Sequence, residues 1–280
     1  MTESKDSAHS AQAEKDRVVG LLGGEWATIT QLMAALPDDA WSTPVLPGWD
    51  VHDVLAHIVG GERMLAGDAA PETPAGLEDA PHVRNPIARV NETWIVALRP
   101  LPHAALLGMF RAITEERLAA LQAMSVEEFH APSWTPAGDG TYGRFMEIRL
   151  FDAWMHEQDI RNAVGKPDNE DGPAADAAID EVAGALGYIV GKRGGAPQGS
   201  SVKITLTGPI QRELCVVVDG KAKVVIAIDG QPTAGLALSS SLFLRLAGGR
   251  VDPERCLPEV RLSGDAALAR QLATHLAYTL

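Results

Sequence analysis

Asp152, His156 and Asp159 stand four and three residues apart within the stretch Phe145–Ala163, with Arg149 and Arg161 on either side. Read as a helix, that stretch carries an apolar stripe at Phe145, Ile148, Met155 and Ala163, and the two carboxylates and the imidazole fall in the middle of it. Burying such groups unpaired costs on the order of several kcal/mol each, so something inside must compensate them. A divalent metal is one candidate. A catalytic zinc takes three ligands from His, Asp and Glu and leaves a fourth position open, and residues at i and i+4 such as Asp152 and His156 share one helix face. The third ligand must come from another helix. His57, at the edge of the apolar face of the helix predicted to follow Asp50, is placed to supply it, and His52 on the opposite edge is a poorer fit. A buried ion pair is the other candidate, with Arg149 or Arg161 as the partner. Asp159 suits either a carboxylate that orients a ligand histidine or a local salt bridge. Trp49 and Trp154 read as packing residues.

The elements that must hold these residues are helical over roughly the first 165 positions. Residues 1–12 read as a disordered tail. Val18, Leu22, Trp26, Ile29, Met33 and Leu36 then recur at steps of three and four, which predicts an amphipathic helix closed by Pro37. Trp41–Trp49 is a predicted loop. Asp50 is a predicted N-cap with Asp53 in the first turn, opening a helix that runs to about Leu65. Gly67–Pro81 is a loop, Ile87–Leu98 and Ala104–Met124 are helices, and Pro132–Gly140 is a second loop carrying Trp134. The helix of Asp152 and His156 closes at Gly165. After Asn169 the pattern changes. A linking helix over 174–190 leads to strands at 202–206, 214–218 and 224–228, with Asp219-Gly220 as a hairpin turn. A helix over 236–246, a short strand at 260–262 and a helix over 266–280 complete the expectation. The domains expected are therefore a helical bundle over 13–168 and an α+β domain over 169–280.

At 280 residues the chain is long enough for two cores, and 46% hydrophobic with 22% charged residues is the composition of an ordinary globular protein. No apolar run reaches the length of a membrane span, and the polar start Met1-Thr-Glu-Ser lacks a signal-peptide core, so a cytoplasmic protein is the expectation. A net charge of −13 argues against nucleic acid or an anionic membrane as partner. A small molecule is the expected partner, for a monomer or small homo-oligomer. Cys215 and Cys256 form no CxxC and no disulfide framework, which argues against thiolate chemistry by the protein itself.

The segment Leu46-Pro-Gly-Trp49-Asp-Val-His-Asp-Val-Leu-Ala-His57, together with Phe151-Asp-Ala-Trp-Met-His156-Glu-Gln-Asp159-Ile-Arg161, resembles the mycothiol-dependent maleylpyruvate isomerase family, within the wider DinB/YfiT-like metal-binding helical bundles. The resemblance covers nearly the whole chain. It implies a DinB/YfiT-like four-helix bundle followed by a small α+β sterol-carrier-like domain. It implies a divalent metal, usually taken as zinc, on His57, Asp152 and His156, with mycothiol, a low-molecular-weight thiol of actinobacteria, as co-substrate. The thiol would attack a small electrophile, either as an isomerase or as an S-transferase, with Arg149, Arg161 and, if the second domain caps the site, Arg250 as candidates for anion contacts. In the family the acid is commonly Glu. Asp152 is one methylene shorter, so either the helix sits closer to the ion, or affinity is lower, or the metal is lost. A non-catalytic metal- or small-ligand-binding protein and a metal-dependent hydrolase are the alternative functions.

Overall fold

The computed structural model describes residues 2–77 and 80–279, with side chains from residue 9 onward. The chain divides into two compact units, Met1–Asp168 and Asn169–Leu280, meeting where the sequence pattern changes.

The first unit is built from long helices. Helix α1 is Thr2–Ala34. It takes in residues 2–12 of the segment expected as a tail, where the helix-forming residues Ala8, Ala11 and Ala13 lead directly into the amphipathic pattern. Its face of Val18, Leu22, Trp26, Ile29 and Met33 is buried as the spacing predicts. Within the stretch expected as a loop, β1 (Pro44–Leu46) and β2 (Trp49–Asp50) pair antiparallel. Helix α2 is Val51–Leu65, and Asp50 caps it in a capping box: its side chain accepts from Asp53 N at 3.0 Å, and Asp53 Oδ2 accepts from Asp50 N at 3.4 Å. Residues 78 and 79 of the expected loop at 67–81 lie outside the described residues. Then follow α3 (Pro86–Leu98), α4 (His103–Ala123) and the short α5 (Val126–Phe129). The stretch read as a second loop is a hairpin, β3 (Pro132–Thr135) and β4 (Gly138–Thr141), with Trp134 opposite Asp139.

Helix α6 (Tyr142–Val164) is the central element, packed against α1 and α2. Thr141 caps its start, accepting from Arg144 N at 3.1 Å, and Gly165 ends it with φ 66°, the left-handed value that a terminal glycine adopts without a Cβ clash. From Arg149 to Ile160 every residue but Asp152 is buried. The single apolar stripe was thus an underestimate: a helix buried on all sides lies inside a bundle rather than on its surface.

The second unit opens with α7 (Gly172–Tyr188). Strands β5 (Ser201–Thr207), β6 (Arg212–Asp219) and β7 (Lys221–Val225) form an antiparallel meander that turns at Gly220. Strand β8 (Ala234–Ser239) pairs parallel with β5, then α8 (Ser240–Ala247), α9 (Pro253–Cys256), β9 (Arg261–Gly264) and α10 (Ala266–Thr274) follow. The sheet order is β7-β6-β5-β8-β9. The helix expected over 236–246 is corrected here, since its first four residues belong to β8. Leu236 and Leu238 are buried in a strand hydrogen-bonded on both sides, and that pairing overrides their helical preference. Among the described residues no helix is long and apolar enough to cross a membrane.

Candidate metal centre

Two helices bring three ligand-type side chains together. The His57 Nε2 of α2 lies 3.2 Å from Asp152 Oδ2 of α6, and His156 Nε2, one turn further along α6, lies 3.5 Å from Asp152 Oδ1. The imidazole rings of His57 and His156 meet edge to face at 4.8 Å between centroids. One ligand atom from each of the three residues falls within 4.8 Å of the other two. The donor set fits a divalent ion in kind, two imidazole nitrogens and a carboxylate, and the two short separations run to the two different oxygens of Asp152. The shorter aspartate therefore still reaches both histidines. Both imidazoles are buried, whereas the Asp152 side chain is 28% exposed, so the group has one open side.

His156 Nδ1 lies 3.1 Å from Asp159 Oδ2, three residues on along the same helix. With a proton on Nδ1 donated to Asp159, Nε2 would be the nitrogen left to bind a metal, the arrangement a metal-ligating histidine uses. His57 has no counterpart to Asp159, because its Nδ1 is buried without a hydrogen-bond partner among the described residues. The electrostatics differ accordingly. Burial lowers the His57 pKa, and the opposing pull of Asp152 does not restore it. Burial also works to lower His156, but the Asp152 and Asp159 carboxylates outweigh it and raise this pKa above the ordinary value. At Asp152 burial favours the neutral acid, yet the Arg149 guanidinium and the two imidazoles hold its carboxyl well below the usual carboxylate range.

An ion-pair network is present beside this group. Arg149 Nη1 donates to Asp152 Oδ2 at 2.7 Å and Arg149 Nε donates to Glu62 Oε1 at 3.0 Å. The second Glu62 oxygen accepts from Arg117 Nε of α4 at 3.2 Å, and Arg117 Nη2 donates to the Tyr142 hydroxyl at 2.7 Å. Glu62 is completely buried, and Arg117 is nearly so. The ion pair and the three-residue group thus share Asp152, whose Oδ2 faces both Arg149 and His57 while Oδ1 faces His156. Sequence reasoning missed Glu62 and Arg117, although the signal was there. Glu62 continues the apolar series Val51, Val54, Leu55, Ile58 and Val59 of α2, and Arg117 continues Phe110 and Ile113 of α4.

Trp49 packs over the group, its ring 5.2 Å from His57 and 6.1 Å from His156. Its indole Nε1 donates to the buried Glu92 Oε2 of α3 at 2.7 Å, and that carboxylate also meets His82 Nε2 at 3.1 Å and accepts from Arg99 Nη2 at 3.1 Å. Trp49, read as a packing residue, is thus a wall of the site. His52 faces away, with Nε2 3.1 Å from the Leu101 carbonyl oxygen. Arg161 is engaged at the end of α6, where its Nε donates to Glu157 at 2.5 Å and Nη1 to the Lys166 carbonyl at 3.3 Å. The structure therefore does not bring it to the three ligand-type side chains. Arg250 belongs to the second unit and donates to the Gly248 carbonyl at 2.6 Å.

The mycothiol maleylpyruvate isomerase N-terminal domain family matches residues 22–161, and the corresponding C-terminal domain family matches residues 176–271. No curated protein matches the sequence. Among solved structures, the chain is similar to the crystal structure of the mycothiol-dependent maleylpyruvate isomerase, at 18% identity over 89% of this chain and 92% of that one, with a TM-score of 0.58. A histidine-to-alanine mutant of mycothiol-dependent maleylpyruvate isomerase aligns over the same shares at 18% identity and a TM-score of 0.57. At that identity the likeness speaks for the fold.

Proposed function

The chain belongs to the mycothiol maleylpyruvate isomerase family, and we propose that it is a mycothiol-dependent isomerase whose thiol co-substrate is activated at a divalent metal. The observation that carries this reading is the convergence of His57, Asp152 and His156 from two helices, with one side open. Three protein ligands leave one coordination position, which suits a catalytic rather than a structural site. When bound, a zinc ion would supply the positive charge that lowers a thiol pKa and keeps the thiolate populated at neutral pH.

The residues themselves supply orientation. His57 Nε2, one Asp152 oxygen and His156 Nε2 are the ligand atoms, and Asp159 keeps the His156 proton on Nδ1 so that Nε2 can bind. Trp49 covers one side of the two imidazoles and excludes water there. On an isomerase course, the mycothiol sulfur adds to a conjugated double bond of a small electrophile, the resulting single bond rotates, and elimination returns the thiol. In an S-transferase the adduct is the product. Arg149 is committed to Glu62 and Asp152. A second reading, a non-catalytic protein with an ion-pair core, draws on the Arg149–Asp152 contact, which compensates the carboxylate without a metal.

Metal analysis after expression with added zinc separates them. About one equivalent per chain is expected, and almost none in His156→Ala; less than about a tenth of an equivalent in the unaltered protein would sink the enzyme reading. In the cobalt-substituted protein, mycothiol should change the visible ligand-field bands, whereas a site reserved for water should not respond.

A further inference from the structure

We infer that Glu62 is a positioning residue for the metal: acting through Arg149, it fixes the Asp152 carboxylate between the two imidazoles, with Oδ2 bonded to Arg149 and facing His57 and Oδ1 turned to His156. The inference rests on the metal reading above and goes beyond it to a residue that makes no contact with the three ligand-type side chains.

Glu62 sits five residues after His57 on α2, with no exposed surface. Each of its oxygens accepts from a different buried guanidinium, Oε1 from Arg149 Nε and Oε2 from Arg117 Nε. Arg149 is thereby held at one edge by Glu62 while Nη1 reaches Asp152 Oδ2 at 2.7 Å. The guanidinium is a rigid plane, so fixing Nε fixes the direction of Nη1. Its third nitrogen, Nη2, is buried with no partner among the described residues and would stand 2.9 Å from a Cβ at Gly61, which leaves the group little room to swing. Two helices are involved, since Glu62 shares α2 with His57 while Arg149 and Asp152 share α6. The contact between Glu62 and Arg149 therefore sets the spacing of the two ligand-bearing helices at the level of the site.

A purely stabilising role explains less. A carboxylate buried between two guanidiniums in this way is often replaceable by apolar residues without loss of stability. What an apolar core could not do is select which Asp152 oxygen is engaged. Glu62 also offsets the positive charge of Arg149, which otherwise stands one residue contact away from the place a cation would occupy.

Glu62→Gln keeps the shape and removes the charge, and Arg149→Lys keeps a charge and removes the planar fork. Cobalt affinity is measured by competition with a chromogenic chelator, together with the cobalt visible spectrum and the thermal melt of the metal-free form. Both variants should bind cobalt about 10–100-fold more weakly and with altered visible bands, the effect typical of losing an outer-shell partner. A merely structural role would lower the metal-free melting temperature and leave affinity and spectrum in place, and that result overturns the inference. If Glu62→Gln does not fold, Arg149→Lys decides by the same two readouts. Failure of the unaltered protein to bind cobalt would overturn the metal reading, and this inference with it. Normal binding by the unaltered protein and by both variants overturns the inference alone.

Discussion

His57 and His156 are pulled in opposite directions by their surroundings, and this has a consequence for pH. His57 has a lowered pKa through burial, so it is neutral and ready to bind at pH 7. In His156 the effect of burial is outweighed by Asp152 and Asp159, and its pKa is raised. A raised pKa means that the proton on Nε2 competes with a metal at higher pH than an ordinary imidazole would. Metal affinity should therefore begin to fall as pH drops from above about 6.5, rather than only below it. Asp159→Asn removes one of the two groups raising His156, so the onset of this loss should move to lower pH. Chelator competition between about pH 5 and pH 8 measures it, and an unchanged or upward-moving onset would contradict the role given to Asp159.

At the scale of elements, α2 carries adjacent glycines that do different work. A Cβ on Gly60 would stand 2.5 Å from Trp94 Cβ, a rigid point of α3. Gly60→Ala should cost about 1–2 kcal/mol in chemical unfolding, because overpacking exceeds the gain in helix propensity. At Gly61 the nearest atoms belong to the Arg149 guanidinium, which moves only by releasing Glu62 or Asp152. Gly61→Ala should therefore weaken metal binding more than it lowers metal-free stability, and equal stability losses in the two variants would count against this division. The start of α2 was legible from Asp50 and Asp53 because a capping box is a local device spanning four residues. The strand β8 was not. Its leucines and alanines suit a helix, and only hydrogen bonding to β5 on one side and β9 on the other makes the segment extended.

For the whole molecule, the division at Asp168 and Asn169 gives two units, each with its own buried core. A metal held by α2 and α6, as proposed, would stabilise the first of them. Calorimetry should show two transitions, one of which moves down by about 5–10 °C on metal removal, the shift expected from losing a ligand near a hundredfold above its dissociation constant. The other transition should stay in place, and two transitions that move together would count against a metal bound by the first unit alone.

The sequence by itself determined what depends on neighbours along the chain. Asp152, His156 and Asp159 share a face because i+3 and i+4 are adjacent on any helix, and Asp50 and Gly165 mark helix ends by their own side-chain and backbone chemistry. The charged positions Glu62 and Arg117 were visible in the same way, as breaks in apolar series, yet nothing local said that they meet. Only the tertiary structure decided that Arg149 rather than Arg161 pairs with Asp152, and that Glu62 joins Arg149 to Arg117. The physical reason is that the separation and rotation of two packed helices are set by all the side chains between them, and a spacing along one helix carries no information about the other.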